Sequence, residues 1–313
     1  MTLMFFQNRP WPLSGKSLHY TPMLSIVTPT YNRGYLLDAA YQSLLRQCNK
    51  DFEWIVIDDG SVDNTEAVVL AWIEEGKIRI VYERQENGGV NRARNRGIEL
   101  AQGEMILYLD SDDYLSDDAV STIYYHWEAI RDNPKIVGFL FLAGCQKTKE
   151  IIGNPFRSDV SINNYINIYY REKVSGDKTV VHKTDIQRKY PFPVFDREKF
   201  APEAIMFGRI AKEYDYLCVN KIIKYVEYLE DGITKNGYPE SEILTGLLTW
   251  RYEQTDENFP YHVQKHAMRK WIRLKRQTKA SWISIFRETK NLWLCCLCIP
   301  RALIRFPRRT KKS

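Results

Sequence analysis

The chain has 313 residues, which is enough for one large catalytic domain with a smaller appendage. Its six cysteines show neither the spaced pairs of a zinc site nor a disulfide framework, so we expect reduced thiols and a cytoplasmic protein. The net charge of +6 is unevenly distributed: residues 261–313 carry 15 Lys and Arg against a single acid, Glu288, which leaves 30 basic and 38 acidic residues elsewhere.

Residues 1–22 are predicted to be an N-terminal extension. Only residues 1–6 form an apolar patch, and no small-residue cleavage site follows a proper hydrophobic region, so we do not expect a signal peptide. Met23 lies directly before the first predicted strand and is a candidate for the functional start.

After this extension, short β-rich runs alternate with stretches in which apolar residues recur every three or four positions. Such alternation predicts an α/β fold whose mostly parallel central sheet has helices on both faces, because parallel strands are joined by crossovers that cover the sheet. The predicted strands cover residues 24–28, 54–57, 78–82 and 105–109, and the predicted helices cover residues 35–47, 64–75 and 91–101.

Polar residues follow three of these strands, at the edge where an open α/β sheet normally binds its ligand. Pro29 and Tyr31 follow the first strand, and Asp59 follows the second. Asp110 and Asp112 follow the fourth, and since side chains two apart on a strand share a face, they can form one all-oxygen site for a divalent cation. Taken alone, either acidic turn is also typical of a turn that caps a helix.

Four motifs occur in order along residues 23–135: SIVTPTYNR, VIDDGSVDNT, ENGGVNRARNRGIELAQGE and ILYLDSDDYL. Together they resemble the inverting glycosyltransferases of family 2, which have the Rossmann-like GT-A fold. A weaker similarity to the acceptor-side half of bacterial members extends to about residue 235. The resemblance implies a catalytic domain over residues 23–240, with a donor half at 23–135 and an acceptor half at 136–240.

The resemblance also implies a nucleotide diphosphate-sugar as the donor. Pro29 and Tyr31 would then offer a rigid turn and an aromatic surface to the base, and Asp59 would accept the N3–H that uracil has and cytosine lacks. Asp110 would contact the ribose or the metal, and Asp112 would be the main carboxylate of a Mn²⁺ or Mg²⁺ ion that bridges the two phosphates. Zinc is not expected, because it prefers the His and Cys ligands that this motif lacks.

Three arginines follow the Gly88-Gly89 turn, and guanidinium groups match phosphate oxygens well. Helical spacing sends Arg92, Arg94 and Arg96 to different faces. The family pattern singles out Arg94, which we expect near the nucleotide or the sugar, whereas Arg92 and Arg96 are expected to be solvated.

An inverting transferase needs one general base to take the proton of the acceptor hydroxyl. Glu203 stands where many relatives have an acidic pair, just before a predicted helix over residues 204–213, and it is our candidate. A glutamate that follows Pro202 at a helix start also suits the helix dipole without any catalytic role. The reserve candidates are Asp113, Asp177, Glu230 and Asp231.

Residues 241–313 are predicted to form a basic, helical, membrane-associating region. No Gly or Pro occurs in residues 261–299, and Trp271, Trp282 and Trp293 are spaced by 11, so a continuous helix would align the three rings. The apolar stretch in this region is too short to span a bilayer, which favours a helix lying on an anionic membrane surface. Alternatively, the tryptophans pack on the catalytic domain beside a solvated basic face, or the basic tail binds nucleic acid.

We therefore predict a metal-dependent glycosyltransferase that is peripherally associated with the inner face of the cell membrane. It would move a hexose or N-acetylhexosamine from a UDP-sugar to a hydroxyl of a lipid-linked glycan or surface-polysaccharide precursor. The enzymatic alternative is a nucleotidyltransferase, but no Gly-rich loop with Arg and Lys follows the first strand. The non-enzymatic alternative is a binding protein on a decayed transferase fold. Nucleic acid is not an expected partner, and the fold alone does not determine the sugar, the acceptor or the linkage.

Overall fold

The computed structural model describes residues 22–229 and 237–303, and nine strands among them form one sheet. The strands are β1 (Leu24–Thr30), β2 (Phe52–Asp58), β3 (Ile80–Arg84), β4 (Met105–Tyr108), β5 (Tyr114–Leu115), β6 (Ile136–Cys145), β7 (Val160–Asn163), β8 (Lys178–Lys183) and β9 (Asp215–Val226). Their order across the sheet is β3-β2-β1-β4-β8-β6-β9-β5, and β7 pairs with β9.

Helices flank this sheet and continue beyond it. They are α1 (Leu37–Arg46), α2 (Thr65–Glu75), α3 (Val90–Leu100), α4 (Ala119–Ile130), α5 (Thr184–Lys189), α6 (Ala204–Ile210), α7 (Leu244–Glu253), α8 (Tyr261–Gln277), α9 (Trp282–Glu288) and α10 (Leu292–Leu303), with a short π-helix at Asn167–Arg171. All four predicted strands and all three predicted helices of the donor half are present, with ends shifted by a few residues.

The α/β class is confirmed, and the parallel pairing holds for the strands that the sequence predicted. Strands β3, β2, β1 and β4 are mutually parallel neighbours. The strands of the acceptor half were not predicted individually, and there β8 runs antiparallel to β4 and β6, while β9 is parallel to β6 and antiparallel to β5 and β7. The sheet is therefore mixed rather than mostly parallel.

Each face of the sheet is covered by its own apolar core, because successive side chains of a buried strand point to opposite faces. On β2, Trp54 and Val56 face the core that contains buried residues of α1, α2 and α4. Ile55 and Ile57 face the core that contains buried residues of α3, α5 and α6. Helices on both faces, as predicted, leave the carboxyl edge of β1, β2 and β4 open between them.

Helix α3 lies unusually close to β1, and Gly97 makes this possible. A Cβ atom at Gly97 would lie 2.3 Å from Cγ1 of Val27, so a larger residue would push the helix off the sheet. The N-terminal end of α3 is thereby held next to the open edge of the sheet.

The predicted continuous C-terminal helix is wrong, because polar residues divide it into α8, α9 and α10. Lys279 has a φ of 60° just after α8, in the left-handed region that ends helices. The hydroxyl of Ser281 accepts a hydrogen bond from the backbone N–H of Ser284 and begins α9. The side chain of Asn291 accepts one from the N–H of Leu294 and begins α10.

The three tryptophans consequently do not form one stripe. Trp271 is buried in a small core that the C-terminal helices share, and its ring centroid lies 5.6 Å from that of Tyr252 on α7. Trp293 is 67% exposed. Trp271 thus stabilises the packing of the helices, Trp282 is partly buried against the same core, and Trp293 is exposed.

Helix α7 connects these C-terminal helices to the sheet domain. The Glu198 carboxylate accepts hydrogen bonds from the backbone N–H groups of Thr245 and Gly246, where α7 begins, and Arg209 of α6 forms an ion pair with Glu253. The predicted boundary near residue 240 therefore lies in a packed junction and stays a prediction. Within residues 22–229 and 237–303, no helix combines the length and apolar character needed to cross a membrane.

Candidate active site

A cavity of about 1010 Å³ opens at the carboxyl edge of β1, β2 and β4. This is the edge where an open α/β sheet binds its ligand. All the site residues predicted from the sequence line this one cavity: Pro29, Tyr31, Asp59, Arg94, Asp110, Asp112 and Glu203.

Asp59 is buried, and the start of α3 holds its carboxylate in place. Its Oδ1 accepts hydrogen bonds from the Gln85 side chain (2.7 Å) and the Gly88 N–H (2.9 Å), and its Oδ2 accepts one from the Gly89 N–H (2.7 Å). Gly89 is required at this turn, since its φ is 93° and a Cβ would lie 1.9 Å from the carbonyl oxygen of Lys199. A carboxylate can accept about four hydrogen bonds, so Asp59 keeps room for one further donor.

Asp110 and Asp112 both face the cavity but differ electrostatically. Asp110 accepts a hydrogen bond from Arg94 at 2.9 Å, and Asp112 accepts one from Arg33 at 3.0 Å. Burial alone would raise the pKa of Asp110, but Arg94 and then Lys224 lower it below its usual value. Burial and the neighbouring Asp110 carboxylate raise the pKa of Asp112, and Arg33 offsets only part of this increase. The region around Asp112 is therefore short of positive charge.

The carboxylate groups of Asp110 and Asp112 provide only oxygen donors. Hard divalent cations prefer such ligands, so the pair fits an ion of this kind. In the part of the chain that the structure describes, no three His, Cys, Asp or Glu side chains are grouped closely enough to enclose a metal ion. An ion bound here would have to complete its coordination with water and with oxygens of the ligand, which is usual for Mg²⁺.

Arg94 joins the acidic strand end to the candidate base. Its buried guanidinium bonds Asp110 on one side and Glu203 on the other, and it lies 5.2 Å from the centroid of the Phe192 ring. Glu203 directly precedes α6, where it suits the helix dipole as the alternative interpretation states, and its side chain makes no capping hydrogen bond. Arg94 therefore lines the cavity, and its position near the nucleotide or the sugar stays a prediction.

The prediction that Arg92 is solvated is wrong. Its guanidinium donates to the carbonyl oxygens of Gly88, Phe195 and Glu198, each at 2.8 Å. The last two acceptors lie 103 and 106 residues further along the chain, so no local pattern could identify them. Arg96 instead forms ion pairs with two acids and stays partly exposed, close to the expectation.

Two asparagines of α3 hold the same distant segment that Arg92 binds. Asn91 donates to the carbonyl oxygens of Pro193 and Ala201, and Asn95 exchanges two hydrogen bonds with the backbone of Phe192. Residues 192–201 lead directly into Glu203. One helix therefore fixes both the Asp59 loop and the segment that carries the candidate base.

The reserve candidates for the base differ in their surroundings. Asp113 is buried, and its carboxylate lies 2.6 Å from the Lys224 ammonium. Burial alone would lower the pKa of Lys224, but the negative charges of Asp113 and then Asp110 raise it. Asp177 is exposed, lines the cavity and accepts a hydrogen bond from the hydroxyl of Tyr228 at 2.6 Å. Glu230 and Asp231 lie outside the described residues.

Sequence reasoning missed several residues of the cavity. Arg33 belongs to the first motif but was given no role, although it bonds Asp112. Lys224 had no local signal, since Asp113 lies 111 residues before it. Phe200 and Tyr238 also line the cavity, and their rings stack with 5.3 Å between the centroids. The pKa of Tyr238 is raised mainly by burial and to a lesser extent by the negative charge of Asp59.

Comparison with known proteins identifies related sequences and structures. The sequence model described as Glycosyl transferase family 2 matches residues 25–195. The GalNAc(5)-diNAcBac-PP-undecaprenol beta-1,3-glucosyltransferase of Campylobacter jejuni is 30% identical over 224 residues, which are 69% of this chain and 70% of that protein. The poly(ribitol-phosphate) beta-N-acetylglucosaminyltransferase TarP of Staphylococcus aureus is 28% identical over 207 residues, 63% of this chain and 62% of TarP.

The fold recurs in a solved structure. The crystal structure of S. aureus TarS residues 1–349 in complex with UDP-GlcNAc superposes with a TM-score of 0.62 over 89% of this chain and 80% of that chain. At 18% identity this likeness is one of fold. It confirms the predicted GT-A architecture of the mixed sheet and its flanking helices.

Replacing Arg92 tests whether α3 holds the segment before Glu203. Arg92→Met removes charged hydrogen bonds to three carbonyl groups, so the free energy of unfolding should fall by about 1.5–3 kcal/mol. Arg96→Met on the same helix loses only partly exposed ion pairs and should cost less than about 1 kcal/mol. Urea unfolding followed by circular dichroism measures both, and equal losses would mean that Arg92 is solvated after all.

Proposed function

The chain belongs to glycosyl transferase family 2, and we propose that it transfers a hexose or N-acetylhexosamine from a UDP-sugar, with inversion, to a hydroxyl of a lipid-linked glycan or surface-polysaccharide precursor. The observation that carries the proposal is the convergence of Asp59, Asp110, Asp112 and Glu203 on one cavity of the GT-A fold. Since the family consists of glycosyltransferases, the nucleotidyltransferase and the decayed binding protein are no longer favoured.

The donor side of the cavity suits a uridine nucleotide. Asp59 retains one acceptor position, and the uracil N3–H is a donor that cytosine lacks. Tyr31 is 47% exposed, lines the same cavity as Asp59 and would offer a ring surface to the base. TarS, which has the same fold, has been crystallised with UDP-GlcNAc.

The diphosphate would lie between Asp59 and the acidic strand end. Asp110 and Asp112 would hold Mn²⁺ or Mg²⁺, and the bound ion would stabilise the charge that develops on the departing diphosphate. Arg33 and Arg94 line the same part of the cavity, and their guanidinium groups match phosphate oxygens. Both arginines are at present paired with carboxylates, so a bound phosphate would compete with Asp112 and Glu203 for them.

Glu203 is the proposed general base. Its carboxylate forms an ion pair with Arg94. A donor phosphate that attracts Arg94 would weaken this pair and leave the Glu203 carboxylate accessible to the acceptor hydroxyl. The acceptor hydroxyl would then lose its proton to Glu203 while its oxygen attacks C1 from the side opposite the diphosphate.

The names of two relatives support the proposed acceptor class. The C. jejuni enzyme is named for an undecaprenol-linked glycan and TarP for poly(ribitol-phosphate). A lipid-linked acceptor would place the reaction at the inner face of the cell membrane, where we propose that the protein associates peripherally.

Metal dependence is tested by Asp112→Ala. The variant should lose at least about 10²-fold in transfer and lose Mn²⁺-assisted UDP binding, because the proposed ion depends on this carboxylate. Asp117→Ala removes an exposed acid five residues away and should leave both unchanged. Calorimetric titration of UDP with and without Mn²⁺ measures binding, and full activity of the wild type in excess chelator would refute the metal site.

Replacing Glu203 with Gln tests the base. Glu203→Gln keeps a hydrogen-bond acceptor for Arg94, so the fold and donor KM should persist while kcat falls by about 10²-fold or more. Asp177→Asn is the matched control in the same cavity. The base is misassigned if the control loses kcat and Glu203→Gln does not. A product that retains the anomeric configuration, seen by NMR, would contradict inversion.

A further inference from the structure

The outer face of α10 is an apolar surface that is largely exposed in the described part of the chain. Leu294, Cys295, Cys298 and Ala302 are buried and point into the core that α10 shares with α8 and α9. The opposite side carries exposed residues at helical spacing: Leu292, Trp293, Cys296, Leu297, Pro300 and Leu303. At 100° per residue, these fall within an arc of about 140°, so they form one continuous apolar face.

An exposed apolar face of this kind is unusual on a soluble surface and marks an interaction site. Trp293 and Leu303 are 67% and 57% exposed. The Trp293 ring stacks on Tyr261 of α8 at 6.4 Å, and the Lys265 ammonium lies 4.5 Å from the centroid of the Tyr261 ring. Aromatic rings next to a basic side chain are typical of the boundary between lipid headgroups and acyl chains.

The positive charge of the residues around this face distinguishes between two possible partners, a second copy of the chain and an anionic membrane. Residues 261–303 contain ten Lys and Arg against Glu288, and residues 304–313 add five more in the sequence. Two copies packed through this face would bring these like charges together, which disfavours self-association. An anionic lipid surface complements the charge and also accepts the apolar side chains.

We propose that α10 lies in the plane of an anionic membrane, with Trp293, Leu297 and Leu303 inserted at the headgroup level and the basic residues of α8 and α9 against the lipid phosphates. With 12 residues, α10 is too short to span a bilayer. None of its described residues lines the cavity, so this surface is separate from the proposed active site.

The test compares vesicle binding of two double variants of the full chain. Trp293→Ser/Leu297→Ser removes the centre of the face, and Ile73→Ser/Tyr125→Ser removes two exposed apolar residues from α2 and α4. Binding to phosphatidylglycerol vesicles, measured by co-sedimentation, should weaken at least about tenfold for the first variant and change less than about twofold for the second. Equal binding of the first variant and the wild type would overturn the proposal.

A second measurement leaves the apolar face nearly unaltered. An environment-sensitive fluorophore attached to Cys296, in a Cys48→Ser/Cys145→Ser background, should shift its emission to shorter wavelengths with phosphatidylglycerol vesicles and much less with phosphatidylcholine vesicles. Absence of any shift would refute insertion. A wild-type dimer that Trp293→Ser/Leu297→Ser converts to a monomer, with unchanged vesicle binding, would assign the face to a second copy. Both measurements report lipid binding alone, so they stand or fall independently of the proposed reaction.

Discussion

The crowding of carboxylates at one edge of the sheet is the constraint on which the site depends. Seven acids line one cavity: Asp59, Asp110, Asp112, Asp113, Asp177, Glu203 and Glu227. In a partly buried region their charges repel unless cations or hydrogen-bond donors balance them. The chain supplies such groups from distant segments: Arg33 for Asp112, Arg94 for Asp110 and Glu203, and Lys224 for Asp113. The proposed metal ion would offset the negative charge that remains around Asp112.

Helix α3 fixes the relative positions of these acids and of the groups that bind them. The turn that leads into it holds Asp59 through the Gly88 and Gly89 N–H groups. Its Arg94 bonds both Asp110 and Glu203, and Arg92 and Asn95 hold the segment that leads to Glu203. The close approach that Gly97 allows places all of these on one rigid element. A ligand that displaces Arg94 would therefore change the surroundings of Glu203 without moving the helix.

The sequence predicted the donor half and the residues of the cavity well, because strand-helix alternation and strand-end motifs are local signals. It failed where partners are distant: the acceptors of Arg92 and the partner of Lys224 lie more than 100 residues away in the chain. The prediction of one continuous C-terminal helix was also wrong. It relied on charge and on the tryptophan spacing and did not take account of two capping residues, Ser281 and Asn291, which begin α9 and α10. Both caps were present in the sequence and were overlooked.

The choice of nucleotide tests the account most directly, because it depends on the spare acceptor position of Asp59. Isothermal titration of UDP, CDP and GDP in the presence of Mn²⁺ compares the three bases with the same diphosphate. UDP should bind at least about tenfold more tightly than CDP, which corresponds to one hydrogen bond to a charged acceptor. Equal affinities for UDP and CDP, or tighter binding of GDP, would contradict the proposed uridine site.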